Sequence, residues 1–253
     1  VSVQLNSLVS YLDELLSSNE ISDYCPNGLQ VEGTSTVKNI VTGVTASQAL
    51  IDTAITMKAD AILVHHGYFW KGERQPITGM KKTRIKALLD NDISLIGYHL
   101  PLDVHPQLGN NAQLGKLLGV DNIEPVSGVK PKGVLMRGTL AEACTHQAFA
   151  SRIENVLGRE ALGECVNDKP ISSIAWCTGG GQGFIEQAVE AGVDAFVTGE
   201  VSEQTIHVAR ECGIHFFSAG HHATERYGVK ALGEHLSEHL DVSVQFVDIP
   251  NPA

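Results

Sequence analysis

The constraint that narrows this chain most is that its two halves repeat one another. Residues 41–66 (VTGVTASQALIDTAITMKADAILVHH) and 175–200 (AWCTGGGQGFIEQAVEAGVDAFVTGE) align without a gap. Gln48 falls on Gln182, Ile51 on Ile185, Asp52 on Glu186, Ala54 on Ala188, Asp60 on Asp194 and Ala61 on Ala195. After a shorter connection in the second copy, His99 and Asp103 fall on His221 and Glu225, both pairs spaced i, i+4. Each half thus ends in a His-x-x-x-carboxylate, and the first adds His65-His66. A duplication explains a repeated fold. It does not explain why each copy brings a histidine and a carboxylate to the same point, whereas a metal or catalytic site at a pseudo-twofold interface does.

Apolar periodicity places the elements. Helical spacing covers 5–16, 47–57, 83–89, 110–118, 147–157, 183–191, 203–211 and 223–239. Strands are expected at 39–44, 61–64, 93–97, 134–140, 174–177, 195–198, 214–218 and 242–248, with a turn-rich stretch over 22–28. Strands alternating with helices predict an α/β fold of two similar lobes, with largely parallel sheets flanked by helices. The lobes are expected to divide at 1–125 and 126–253, with the metal site between them. Sites in such folds lie beyond the carboxyl ends of the strands. His65-His66 follow one apolar strand, His99 another and His221-His222 a third.

Composition removes several classes. No apolar run approaches the roughly 18 residues of a bilayer span. The start, VSVQLNSLVSYLDELLSS, lacks the order of a signal peptide, and its missing Met implies a processed or trimmed beginning. Five widely spread cysteines without a C-x-x-C fit a reducing cytoplasm and argue against a disulfide framework or a thiolate zinc site. A net charge of −11 disfavours non-specific nucleic-acid binding. Against that balance, Lys71, Arg74, Lys81, Lys82, Arg84 and Lys86 hold a third of the 18 basic residues. They read either as a solvated helix face or as an anion-attracting rim beside His65-His66.

Neutral imidazole and carboxylate suit first-row divalent metals. His65, His66, His99, Asp103, His221 and Glu225 offer six candidates, too many for one catalytic zinc and about right for two bridged metals. His221 and Glu225 share one helical turn. Pro101, between His99 and Asp103, biases Leu100 away from helix and suggests a turn there. Glu200, aligned with His66, is a candidate outer-shell acid or general base, and His99 and Glu225 are further catalytic candidates. His105 and His222 read as ligand-orienting or surface residues, and His146, His207, His215, His235 and His239 as ordinary. The run Thr178-Gly179-Gly180-Gly181-Gln182-Gly183 matches no dinucleotide or P-loop pattern, leaving a phosphate-holding turn and a tightly packed turn as alternatives. Neither a G-x-S-x-G elbow nor a cysteine signature is present, so side-chain nucleophilic catalysis is not favoured.

At SDYCPNGLQVEG, VHHGYFWKG, HLPLD, GNNAQLG, TGGGQ and AGHHATERYG the sequence resembles the Nif-three-like family. These are dinuclear metal-centre proteins of the YbgI type, often labelled GTP cyclohydrolase I type two homologues. The resemblance spans nearly the whole chain and is looser over about 126–170. It implies two α/β lobes, a toroidal homohexamer and two divalent metals (Fe, Zn, Mn, Co or Ni) per chain. The ligands it implies are His65, His66, Asp103, His221 and Glu225, with His99 nearby. Two functions follow as expectations. One is a cytoplasmic metal-dependent hydrolase of a nucleotide or another small anionic phosphate or amide substrate. The alternative is a metal-stabilised hexameric ring, free of membranes, acting as a scaffold or adaptor in a DNA-related process.

Overall fold

The computed structural model describes residues 2–253. In chain order the strands are β1 (Val3–Gln4), β2 (Gly28–Val31), β3 (Thr36–Val37), β4 (Asn39–Thr45), β5 (Ala61–His66), β6 (Ser94–Gly97), β7 (Val120–Pro125), β8 (Met136–Cys144), β9 (Leu162–Glu164), β10 (Ile171–Cys177), β11 (Ala195–Thr198), β12 (His215–Ser218) and β13 (Ser243–Phe246). The helices are α1 (Leu5–Leu15), α2 (Gln48–Thr56), α3 (Gly79–Asp90), α4 (Leu100–Val104), α5 (Asn110–Leu117), α6 (His146–Leu157), α7 (Ile185–Glu190), α8 (Glu203–Cys212) and α9 (His221–His239). They form two compact units. One holds the chain up to Leu102 with Gly228–Pro250, the other Asp103–Tyr227 with Asn251–Ala253.

The first unit is built on a five-stranded sheet ordered β13-β4-β5-β6-β2. Its first four strands are parallel and β2 is an antiparallel edge. The second unit has a six-stranded sheet ordered β7-β8-β10-β11-β12-β9. There only β10, β11 and β12 are parallel; β7, β8 and β9 pair antiparallel. The units do not part at residue 125. The C-terminal strand β13 returns to cover the open edge of β4, and that edge would otherwise expose a row of unpaired backbone groups. Asp103 and α5 accordingly fall in the second unit.

The duplication is visible as geometry. In β4-α2-β5-α3-β6, Ile40 stands opposite Ala61; in β10-α7-β11-α8-β12, Ile174 stands opposite Ala195. These are the pairs that the sequence repeat superimposes. The aligned aspartates do the same work in both copies. Asp60 Oδ2 accepts the backbone N–H groups of Lys38 and Asn39 at 2.8 Å. Asp194 Oδ2 accepts those of Ser172 at 2.9 Å and Ser173 at 2.8 Å, and both serine hydroxyls at 2.8 Å. Each carboxylate thus ties the start of one strand to the turn that begins its parallel neighbour.

Alternation along the second sheet fills two cores. Ile174, Trp176, Ala195, Val197 and Phe217 enter one; Ala175, Cys177, Phe196 and Phe216 enter the other. This is the pattern of a sheet buried on both faces, where each fully buried large side chain contributes roughly 1.5–3 kcal/mol. In the first unit Leu50, Ile51 and Ala54 of α2 pack with Ile62 and Val64 of β5. Ser47 and Thr145 start α2 and α6 where the helical spacing begins, each accepting the N–H three residues on. α3 begins four residues before its apolar spacing, because Met80, Lys81 and Lys82 in its first turn bury no side chain in the core.

Burial raises the pKa of the Asp194 carboxyl, but the hydrogen bonds from Ser172 and Ser173 outweigh it and hold the group below the usual carboxylate range. A depressed folded-state pKa contributes stability above the unfolded value of 3.8, lost as pH falls through the folded value. Asp194→Ala is therefore expected to lower stability by about 1–3 kcal/mol at neutral pH, by orphaning strand N–H groups. In urea titrations the gap to the parent should close below about pH 4. A gap that persists unchanged well into acid would contradict this account.

Candidate metal centre

The carboxyl ends of β5, β6 and β12 deliver the histidines that the sequence singles out. In the first unit, His65 is fully buried, and its Nδ1 lies 3.0 Å from the carbonyl of Tyr98, just past β6. His66 Nδ1 lies 3.1 Å from Thr45 Oγ1 at the end of β4. His99 Nδ1 lies 2.7 Å from Asp23 Oδ1. One ligand atom each from His65, His66 and His99 falls within 4.8 Å of the others. Their ring centroids are 4.5 to 5.8 Å apart.

Asp23 is the functional residue that motif spacing alone does not reveal. Its carboxylate also receives the N–H of Tyr24 at 2.6 Å, that of Leu100 at 2.8 Å and the amide of Asn27 at 3.0 Å. Asn27 Oδ1 in turn accepts the backbone N–H of His99 at 2.8 Å. The turn-rich stretch after α1 is thus a socket for His99. Burial alone would raise the Asp23 pKa; hydrogen bonds from His99 and Asn27 bring it below the usual range. Asp23, Cys25 and His99 also meet the 4.8 Å measure. However, both Asp23 oxygens are already engaged, and burial together with the Asp23 charge pushes the Cys25 thiol up to about 12. With the Asp23 oxygens taken up by His99, Tyr24, Leu100 and Asn27, this group reads as support for His99.

Residues 99–103 are not a free turn. Leu102 N–H donates to the His99 carbonyl at 2.9 Å, opening α4. Pro101 sits in the first turn, where its missing N–H leaves no helical bond unmade. Asp103 therefore stands on a helix, 6 % exposed.

In the second unit, Asp103 Oδ1 accepts from Asn110 Nδ2 at 2.8 Å and Thr178 Oγ1 at 3.3 Å. His221 opens α9, with Nε2 3.1 Å from Glu225 Oε2 one turn later and Nδ1 2.7 Å from Glu200 Oε1. Gln182 holds the other Glu200 oxygen at 3.1 Å. Burial acts to lower the His221 pKa, but Glu225 and Glu200 outweigh it and hold it up at about 9. The hydrogen bond from His221 holds Glu200 below the usual range. A proton on His221 thus neutralises carboxylates much as a bound cation would. Glu225 itself is 2 % exposed.

The glycine run supports the packed-turn alternative. Gly179 has φ +66°, and a Cβ there would lie 2.0 Å from Glu225 Oε1 and 3.0 Å from His221 Nε2. A Cβ on Gly181 would lie 2.5 Å from Cys177 Sγ. Other histidines have local roles. His105 Nδ1 accepts from Leu108 N–H at 3.0 Å, His146 stacks on Phe217 at 4.5 Å, and His215 Nε2 is 3.1 Å from the Lys169 carbonyl. In the basic segment, Lys81 pairs with Glu73 and Lys86 with Asp90, so two of its six charges are balanced locally.

The donor set fits divalent cations of intermediate softness. Imidazoles and carboxylates predominate, and the histidines have their Nδ1 atoms committed to oriented partners, the usual support of a ligating histidine.

A two-unit α/β chain with histidine and carboxylate clusters of metal-ligating type at its strand ends is the class these features define. The chain belongs to the Duf34/NIF3 (NGG1p interacting factor 3) family, whose profile matches residues 3–252. It is similar to proteins named GTP cyclohydrolase 1 type 2 homolog. The one from Haemophilus influenzae is 60% identical over 251 residues, covering 97% of this chain and 98% of the relative. The one from Pseudomonas aeruginosa is 54% identical over 253 residues, with both chains fully covered. Among solved structures, protein ybgI, described as of unknown function, superposes with a TM-score of 0.96 at 55% identity, covering 99% of this chain and 100% of that one. TTHA1606 from Thermus thermophilus gives 0.90 at 33% identity, with the same coverage. Among the described residues no helix is long and apolar enough to cross a membrane.

Gly179→Ala is expected to force Glu225 aside at a positive φ and to destabilise by about 1–3 kcal/mol. Gly183→Ala, where a Cβ meets nothing within 4 Å, is the control expected to leave the melting temperature in place. Equal melting temperatures for the two variants would refute the packing account of this turn.

Proposed function

We propose that this chain is a metal-dependent hydrolase in which His65, His66, Asp103, His221 and Glu225 hold two divalent ions. Its substrate is a nucleotide or another small molecule with a phosphate or amide to cleave. The observation that carries this reading is the shared support of the imidazoles. Tyr98, Thr45, Asp23 and Glu200 each engage an Nδ1, which reserves Nε2 for a cation or a proton. The name that the relatives carry supports a nucleotide as the substrate class.

When bound, two such ions supply Lewis acidity for an attacking water and for the departing group. The remaining chemistry falls to the chain. Nδ1 contacts fix the ring planes of His65 and His66. His99, backed by Asp23, is a histidine–carboxylate couple able to hold a proton at Nε2 and pass it on. Glu225, almost fully buried, brings a carboxylate to 3.1 Å from His221 Nε2, where a cation would meet it. Glu200 holds His221, and its second oxygen is itself fixed by Gln182, so its role is to orient.

Elemental analysis after loading with Mn, Fe, Co or Zn should give close to two ions per chain. His65→Ala and His221→Ala should each lose about one ion and most turnover in a screen of nucleotides and amides. His239→Ala should keep both, because that ring bonds its own helix through the His235 carbonyl. Equal metal loss in all three variants would mean that the site is misplaced. Two ions with no turnover across the screen would favour a metal-stabilised scaffold instead.

A further inference from the structure

Tyr24 and Trp70 flank the same imidazole and are used by neither the core nor the metal-ligating set. The Trp70 ring meets His99 edge-on at 4.9 Å and 82°, and lies 6.1 Å from His66. The Tyr24 ring meets His99 at 6.5 Å and 61°. Tyr24 is 63 % exposed, among the most exposed large hydrophobic side chains of the described residues. Its backbone is nevertheless held at both ends, by its N–H to Asp23 and by its carbonyl accepting Lys71 N–H at 2.6 Å. A tyrosine fixed in place with its ring in solvent is spent on something other than packing.

The segment that presents Trp70 is strained and heavily anchored. Phe69 has φ +66°, a region that bulky residues rarely adopt. Gln30 grips both backbone groups of Tyr68, accepting its N–H at 2.8 Å and donating to its carbonyl at 3.3 Å. Gly67 makes room for that grip, since a Cβ there would lie 2.0 Å from Gln30 Oε1. The Tyr68 hydroxyl donates to the Ala46 carbonyl at 2.8 Å, and Trp70 N–H donates to Glu73 at 3.0 Å. The indole N–H is satisfied by the Gly67 carbonyl at 3.1 Å, so what the indole has left to offer is its ring.

We propose that Tyr24 and Trp70 form a stacking subsite beside the first unit's histidines that takes the planar nitrogen heterocycle of a nucleobase. The inference rests on the metal-centre reading and deepens it, by making the ring and not the phosphate the group recognised. Aromatic faces bind any flat π-system without sequence-like selectivity, whereas a phosphate needs cations. Lys81, which lies over Phe69 at 5.1 Å, is already paired with Glu73.

The test is calorimetric titration of metal-free and metal-loaded protein with guanosine and adenosine, and with ribose 5-phosphate. Both nucleosides should bind saturably, and ribose 5-phosphate far more weakly. Bound nucleoside should quench tryptophan emission; Trp176 is fully buried in the second unit, so Trp70→Phe should abolish the quench. Tyr24→Ala and Tyr24→Leu should raise the nucleoside Kd by about 10-fold, while Tyr24→Phe stays close to the parent. These substitutions leave the Tyr24 backbone contacts untouched, and circular dichroism checks the fold. Ribose 5-phosphate binding as tightly as the nucleosides, or an unchanged Kd in Tyr24→Ala and Tyr24→Leu, overturns the proposal. Nucleoside binding without metals or turnover would sink the hydrolase reading alone; metals and turnover without nucleoside binding would sink this one alone.

Discussion

An imidazole gives one nitrogen to a cation in a fixed direction when its other nitrogen is held elsewhere, and the strand ends of this protein are organised around that support. For His65 the holder is a backbone carbonyl, that of Tyr98, the residue following β6. The contact therefore depends on the parallel register of β5 and β6, in which Val64 stands opposite Gly97. A slip of one residue would turn every side chain of β5 to the other face and move His65 out of its buried position. At the other end of the strand Asp60 anchors β5 on both sides, its carboxylate to the start of β4 and its carbonyl to Ser94 N–H of β6 at 3.0 Å. Local chemistry at the site thus reaches back through the sheet to a carboxylate at its opposite end.

The two copies of the repeat kept this frame and diverged in what they mount on it. The first mounts three imidazoles, steadied by a carbonyl, a hydroxyl and one carboxylate. The second mounts Glu200 and Glu225 against a single histidine, His221. His66 and Glu200 occupy equivalent positions, so the exchange of an imidazole for a carboxylate at one strand end separates a neutral set from an anionic one. The anionic set draws a proton onto His221 when nothing else is available.

The legible parts of the chain were those with a strong period. The stretches 61–64 and 195–198 read as buried strands because seven of their eight residues are apolar. The histidines stood out because they follow such strands. The antiparallel edges β2, β7 and β9 were hidden for the opposite reason: they are short, and β7 is exposed at four of its six residues, so no alternation marks them. The divide between the units was misjudged because the return of β13 to β4 is a pairing across some two hundred residues, with no local signature. Pro101 misled in a different way. A proline disfavours helix before it, yet it is at home in a first turn, and His99 precedes that turn. Asp23 and His99, 76 residues apart, could be joined only by the fold.

Glycine carries the last structural argument. Two positions, one in each unit, are occupied by glycine because a functional side chain fills the space that a Cβ would take. At Gly67 the space belongs to Gln30, which clamps the Trp70 segment; at Gly179 it belongs to Glu225. In both cases the hypothetical contact is 2.0 Å, so a Cβ there would displace the side-chain oxygen that now fills the space. Gly179 N–H already donates to Thr224 Oγ1 at 3.0 Å, and Gly181 packs against Cys177. The glycine-rich turn is therefore part of the support for the carboxylates of the second unit.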